Sequence, residues 1–149
     1  MRPNPLKVIS HSPLETESLG SAWGRIAQRG WVIGLTGELG AGKTQWVKGL
    51  ARGLGCLQRI HSPTFALLNP HPGGRLTLFH LDLYRLETAD QIIGAGLEEF
   101  LFDPAGVTVV EWADRWPEFQ IAPPPHYHAV HFDFRSDTER EIVCDDLGA

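Results

Sequence analysis

The octet Gly37-Glu38-Leu39-Gly40-Ala41-Gly42-Lys43-Thr44 constrains this chain more than any other stretch. Its three glycines permit a tight backbone curl, and a lysine and a hydroxyl follow at once. Ahead of it, Trp31-Val32-Ile33-Gly34-Leu35-Thr36 is a short apolar run without polar alternation, the pattern of a strand covered on both faces. Behind it, Trp46, Val47, Leu50, Ala51 and Leu54 recur at three and four, predicting an amphipathic helix that Gly53 and Gly55 bring to an end. A G-x-x-x-x-G-K-[ST] pattern between a strand and a helix is a P-loop: consecutive amides face a phosphate and the helix adds its positive end. A glycine-rich turn formed by chance gives Lys43 no comparable reason to be there.

The rest of the chain fits that frame. Ser12-Pro13-Leu14-Glu15 reads as a helix start, with Ser at the cap, Pro at the first helical position and Glu placed to reach back to the cap amide. Leu19, Ala22, Trp23 and Ile26 continue at helical spacing, predicting a helix over 13–29 that ends at Gly30. Residues 56–75 are rich in proline and glycine and predict a long loop with a short strand at 65–68. A strand over 76–83 follows, then one or two short helices within 88–102, broken around Gly94 and Gly96. Val107-Thr108-Val109-Val110 is a second β-branched run, a central strand carrying Glu111 at its carboxyl end. Residues 128–134 and 141–144 flank Arg135-Ser136-Asp137-Thr138 as a hairpin at the sheet edge. The expected class is α/β: one P-loop NTPase-like domain over 1–149, with a mixed, mostly parallel sheet flanked by helices and a C-terminal edge hairpin.

Within the octet, residues 38–44 (Glu38, Leu39, Gly40, Ala41, Gly42, Lys43 and Thr44) are the expected nucleotide contacts. Lys43 reaches the β and γ phosphates and the Thr44 hydroxyl ligates Mg²⁺. P-loop enzymes need a second acid at the end of a buried strand. Glu111 occupies that place where Asp is more usual, and Asp82 near the end of another strand is the other candidate. Either could instead be a solvated strand end. In the long loop, Ser62-Pro63-Thr64-Phe65 offers Thr64 as a sensor of the γ-phosphate, an ordinary Ser-Pro turn being the plainer reading. Trp112 could pack over the site, although most tryptophans in a chain with five of them serve the core.

Composition removes several classes. A formal net charge of -5 argues against a broad nucleic-acid surface, so strong direct tRNA binding is not expected. Cys56 and Cys144 are too few for a disulfide framework or a metal knuckle. No apolar stretch matches a secretory signal or a membrane span, and the expected setting is cytoplasmic.

Taken together, the octet, Ser62-Pro63-Thr64-Phe65, His80-x-Asp82-x-Tyr84-Arg85-Leu86 and Val110-Glu111-Trp112 resemble the TsaE (YjeE) family, ATPases of bacterial tRNA threonylcarbamoyladenosine synthesis. The resemblance holds in order and spacing over residues 12–145. It implies a small ATPase using ATP and Mg²⁺ that cooperates with the TsaD and TsaB proteins, which form the machinery that makes the t⁶A base of tRNA, and that is not itself the transferase. Residue by residue, it implies that Lys43 and Thr44 hold nucleotide and Mg²⁺, and that Glu111 is the Walker-B-like acid. Thr64 falls in the switch-like loop, and Asp82 and Trp112 fall at positions tied to activity.

Two rivals to an ATPase stay open. One is a nucleotide-gated assembly module whose hydrolysis is not essential; the other is a small-molecule kinase. Kinases usually carry an arginine-rich lid, and Arg52, Arg59, Arg75 and Arg85 are scattered. A GTPase is disfavoured because no Asn-Lys-x-Asp signature occurs. With no arginine marked to stabilise a transition state in cis, slow turnover is expected of the isolated protein.

Overall fold

A computed structural model describes residues 5–38, 40–56, 68–83, 96–115 and 123–145. In chain order its elements are β1 (Pro5–Ser10), α1 (Pro13–Ile26), β2 (Val32–Gly37), α2 (Lys43–Leu54), β3 (Leu68–His71), β4 (Leu78–Asp82), α3 (Glu98–Phe102), β5 (Val107–Glu111), a 3-10 turn at Ala113–Arg115, β6 (Tyr127–Phe134) and β7 (Arg140–Asp145). The β-branched run of β5 is buried along its whole length. Its one buried hydroxyl, Thr108 Oγ1, is satisfied by donating to the Phe100 carbonyl at 2.6 Å.

Seven strands form one sheet in the order β1-β7-β6-β2-β5-β4-β3. The pairings at its centre, β6 with β2, β2 with β5 and β5 with β4, are parallel. Those toward the edges are antiparallel. The α/β class with a mixed sheet and a C-terminal hairpin is therefore the fold. β1, which the sequence did not announce, lies outside the hairpin against β7. Its few apolar residues are interrupted by Lys7, too short a pattern to stand out. Of the strand expected at 65–68 only Leu68 is among the described residues, where it opens β3 (Leu68–His71); residues 65–67 lie outside them. Of the helices expected within 88–102, α3 is observed, and residues 88–95 also lie outside.

Parallel register brings the carboxyl ends of β2, β5 and β4 together, pairing Leu35 with Glu111 and Glu111 with Asp82. In open α/β sheets this is the edge where ligands bind. One core lies between the sheet and the helix pair, with Trp46, Leu50 and Leu54 of α2 packed on Ile33, Leu35, Val109 and Phe132. On the opposite face Val32, Leu81 and Val110 meet Leu97 and Leu101.

The two long helices touch backbone to backbone. A Cβ added at Gly20 of α1 would overlap the Trp46 carbonyl oxygen of α2, and one at Gly49 of α2 would overlap the Glu17 carbonyl oxygen of α1. Glycine inside a helix costs roughly 1 kcal/mol against alanine, which here is offset by dense packing between the helices. At the start of α1, the Glu15 amide donates to Ser12 Oγ at 3.1 Å, the expected cap. The Glu15 carboxylate reaches past the cap residue and accepts from the His11 amide at 2.6 Å. At the other end, Arg75 Nη2 donates to the carbonyls of Gly24 at 2.9 Å and Ala27 at 2.8 Å, a cation at the negative end of the helix. No helix among the described residues is long and apolar enough to cross a membrane.

Candidate phosphate-binding site

β2 ends at Gly37 (φ 132°), where a Cβ would overlap the Phe132 carbonyl oxygen of β6, so the chain can leave the sheet there only as glycine. It re-enters helical geometry through Gly42, the left-handed cap residue of α2 (φ 102°). No side chain caps α2, no acid lies in its first turn, and a lysine stands at its first position. That arrangement opposes the usual pairing of acids with helix N-termini and leaves amide donors and positive charge available to an anion. α1, closed by Ser12 and Glu15, shows what an ordinary helix start in this chain looks like.

Lys43 is buried. Its Nζ donates to the Gly37 carbonyl at 2.7 Å and lies 3.5 Å from the centroid of the Trp112 ring. Burial pulls its pKa below the ordinary lysine value, while the carboxylates of Glu111, Asp114 and Asp82 act in the opposite direction. The three acids come from the ends of β5 and β4 and from the 3-10 turn. Asp114 carried no signal in the sequence, because its approach depends on that turn folding back after β5.

Glu111 is also buried. Its Oε2 accepts from His80 Nε2 at 2.6 Å, and its Oε1 lies 3.5 Å from Thr44 Oγ1. Strand β5, α2 and β4 thus bring together Glu111, Thr44 and, at the end of β4, half-buried Asp82. Trp112, immediately after the acid, has φ 62°, the only positive value on a non-glycine residue among the described ones. For a bulky side chain that conformation costs on the order of 1–3 kcal/mol, and such costs gather at functional sites. Glu38 is exposed at the loop mouth, and Ala41 is buried with its amide donating to the Glu38 carbonyl at 3.1 Å. Gly40 is exposed on the loop. Leu39 and Thr64 lie outside the described residues.

Beside the loop opens a cavity of about 440 Å³. Its walls are the start of α1 (Ser12, Thr16), the loop and first turn of α2 (Gly42, Gln45), and the turn between β6 and β7 (Asp137, Arg140). Arg140 is held against that turn by bonds to the carbonyls of Ser136 and Glu139, both at 3.0 Å, and its guanidinium sits 4.3 Å from the Phe134 ring centroid. These segments are far apart in sequence; the packing of α1 on α2 and the pairing of β1 with β7 bring them together.

A parallel sheet centre with a glycine loop leaving β2 and entering α2 defines the P-loop class of α/β protein. Within that class the chain belongs to the TsaE family: the model for the threonylcarbamoyl adenosine biosynthesis protein TsaE matches residues 10–142. It is similar to the tRNA threonylcarbamoyladenosine biosynthesis protein TsaE of Treponema pallidum, 44% identical over 120 residues that cover 78% of this chain and 87% of that protein. The protein of the same name from Bacillus subtilis is 38% identical over 143 residues, covering 96% of this chain and 87% of its own. A crystal structure of Bacillus subtilis YdiB matches with a TM-score of 0.78 at 33% identity, over 97% of this chain and 87% of that one.

Proposed function

We propose that this protein binds ATP with Mg²⁺ at residues 38–44, hydrolyses it slowly when alone, and in doing so supports threonylcarbamoyladenosine formation in tRNA together with TsaD and TsaB. The observation that carries this reading is the convergence of an uncapped helix start, Lys43, Thr44 and Glu111 at one edge of the sheet. The hydroxyl of Thr44 and the carboxylate of Glu111 are hard oxygen donors 3.5 Å apart, a pair that suits Mg²⁺. Bound there, the ion would draw negative charge from the β and γ oxygens. The loop amides and Lys43 hold those oxygens in place. Glu111 or Asp82, the acids at the carboxyl ends of β5 and β4, orients the attacking water. The water oxygen bonds to the γ-phosphorus as the bond to the β–γ bridging oxygen breaks, giving ADP and inorganic phosphate. The base and ribose occupy the cavity walled by α1, α2 and the β6–β7 turn, whose size is ordinary for a small-ligand site.

Phosphate release against Mg²⁺ concentration tests this reading. Thr44→Ala and Glu111→Gln are expected to raise the Mg²⁺ requirement by about tenfold or more, with nucleotide-free melting nearly unchanged. Parent-like Mg²⁺ dependence in both variants rejects the metal assignment.

The Lys43–Trp112 contact favours a second reading, in which the ATP-bound shape rather than cleavage is what partners use. A γ-phosphate competes with the Trp112 ring for the Lys43 ammonium, and Trp112 leads directly into the turn at Ala113–Arg115. Trp112 fluorescence is expected to change on adding a non-hydrolysable ATP analogue and to be insensitive to it in Lys43→Ala. If the analogue sustains the partner reaction through many turnovers, hydrolysis is incidental.

A further inference from the structure

His80 opens the motif His80-x-Asp82-x-Tyr84-Arg85-Leu86 and has no role in the account so far beyond its contact with Glu111. Its ring is fully buried on β4, two residues before Asp82, so both side chains face the α2 side of the sheet. A carboxylate can only accept, so the 2.6 Å contact fixes Nε2 as the donor and Glu111 Oε2 as the acceptor. Nδ1 is then left buried without a hydrogen-bond partner among the described residues. The His71 ring lies 6.4 Å away between centroids. A purely structural polar bridge between strands would be expected to satisfy both of its ends, because an unpartnered buried nitrogen costs stability. Here one nitrogen is left unsatisfied while the other points one oxygen of Glu111 away from the loop and leaves the second toward Thr44.

We infer that His80 is a positioning residue that locks the Glu111 carboxylate so that Oε1 faces the Thr44 hydroxyl. The inference rests on the assignment of Thr44 and Glu111 to the metal. Without the Nε2 donor, rotation of the Glu111 side chain frees both oxygens from that direction. Bonds of this kind behind a ligand typically contribute tenfold to a hundredfold in metal affinity or activity.

The test compares two polar replacements. The amide nitrogen of His80→Gln reaches about as far as Nε2, whereas that of His80→Asn stops near the position of Nδ1. Binding of a non-hydrolysable ATP analogue, followed by calorimetry across a Mg²⁺ titration, is expected to keep its parental Mg²⁺ midpoint in the Gln variant. In the Asn variant the midpoint rises by about tenfold or more. Steady-state turnover is expected to show kcat lowered in Asn with KM for ATP unchanged, and restored in Gln. Indistinguishable Asn and Gln variants, or an unmoved Mg²⁺ midpoint in Asn, overturn the positioning role while leaving the ATP site standing. Should Asn fail to fold by circular dichroism, a folded Gln variant that has lost the parental midpoint is equally decisive against it. A parent protein whose analogue binding ignores Mg²⁺ removes the metal assignment and this inference together.

Discussion

Lys43→Ala is expected to lower ATP turnover by about a hundredfold to a thousandfold, the cost usually seen when one preorganised charge or donor on the reacting group is removed. Buried Lys43 places its Nζ beside the Gly37 carbonyl and the Trp112 ring. No other lysine lies in residues 37–44. Folding should be nearly indifferent to the change. Taking a cation from the first position of a helix gains roughly 0.3–1 kcal/mol, and alanine is the better helix former. Against this stands the lost contact of the ammonium with the Trp112 ring. Phosphate release and thermal melting measured on the same sample separate the two effects. Normal release in this variant would reject the P-loop site altogether, whereas a large fall in melting temperature would assign Lys43 to the core.

Gly49→Val is expected to unfold the protein or leave it with a small fraction of its stability. Even Gly49→Ala should lose about 1–3 kcal/mol, the usual cost of forcing extra atoms into a packed interior. Helix propensity pulls the other way by roughly 1 kcal/mol in favour of alanine. Sterics wins because the new Cβ meets a main-chain oxygen, that of Glu17, which cannot rotate aside as a side chain would. Folded domains have only about 5–15 kcal/mol to lose. Urea unfolding of the Ala variant decides the matter. A raised midpoint would show that the helices can part at little cost.

The octet, the central strands β2 and β5, and Glu111 at the end of β5 were legible because each is a local pattern: spacing, an apolar run, or an acid at a strand end. What escaped is what depends on partners distant in sequence. His80 acquires its place only because β4 lies beside β5 with Asp82 opposite Glu111. Asp114 does so only through the turn after β5, and the cavity needs β1, whose short interrupted pattern is a weak strand signal. Periodicity reports which face of an element is apolar and says nothing of which neighbour that face will meet.

The backbone contact between α1 and α2 would also set what a nucleotide bound at the proposed site can do to this protein. The helix that begins at the phosphate loop and the helix whose first turn walls the cavity are seated on one another's carbonyl groups, so neither can slide without the other. On the proposed reading, base and phosphates would be gripped by this one jaw of paired helices, and a shorter or longer nucleotide would differ in what protrudes at its far end. That end would face the opposite jaw, formed by the strand ends of Asp82 and Glu111 and by the strained Trp112, where the contact with Lys43 is made by a side chain next to a turn instead of by interlocked main chains. On the same reading a terminal phosphate would be registered where Lys43 of α2 meets Trp112, and a protein reading that state would lean on the β5 side, away from the paired helices.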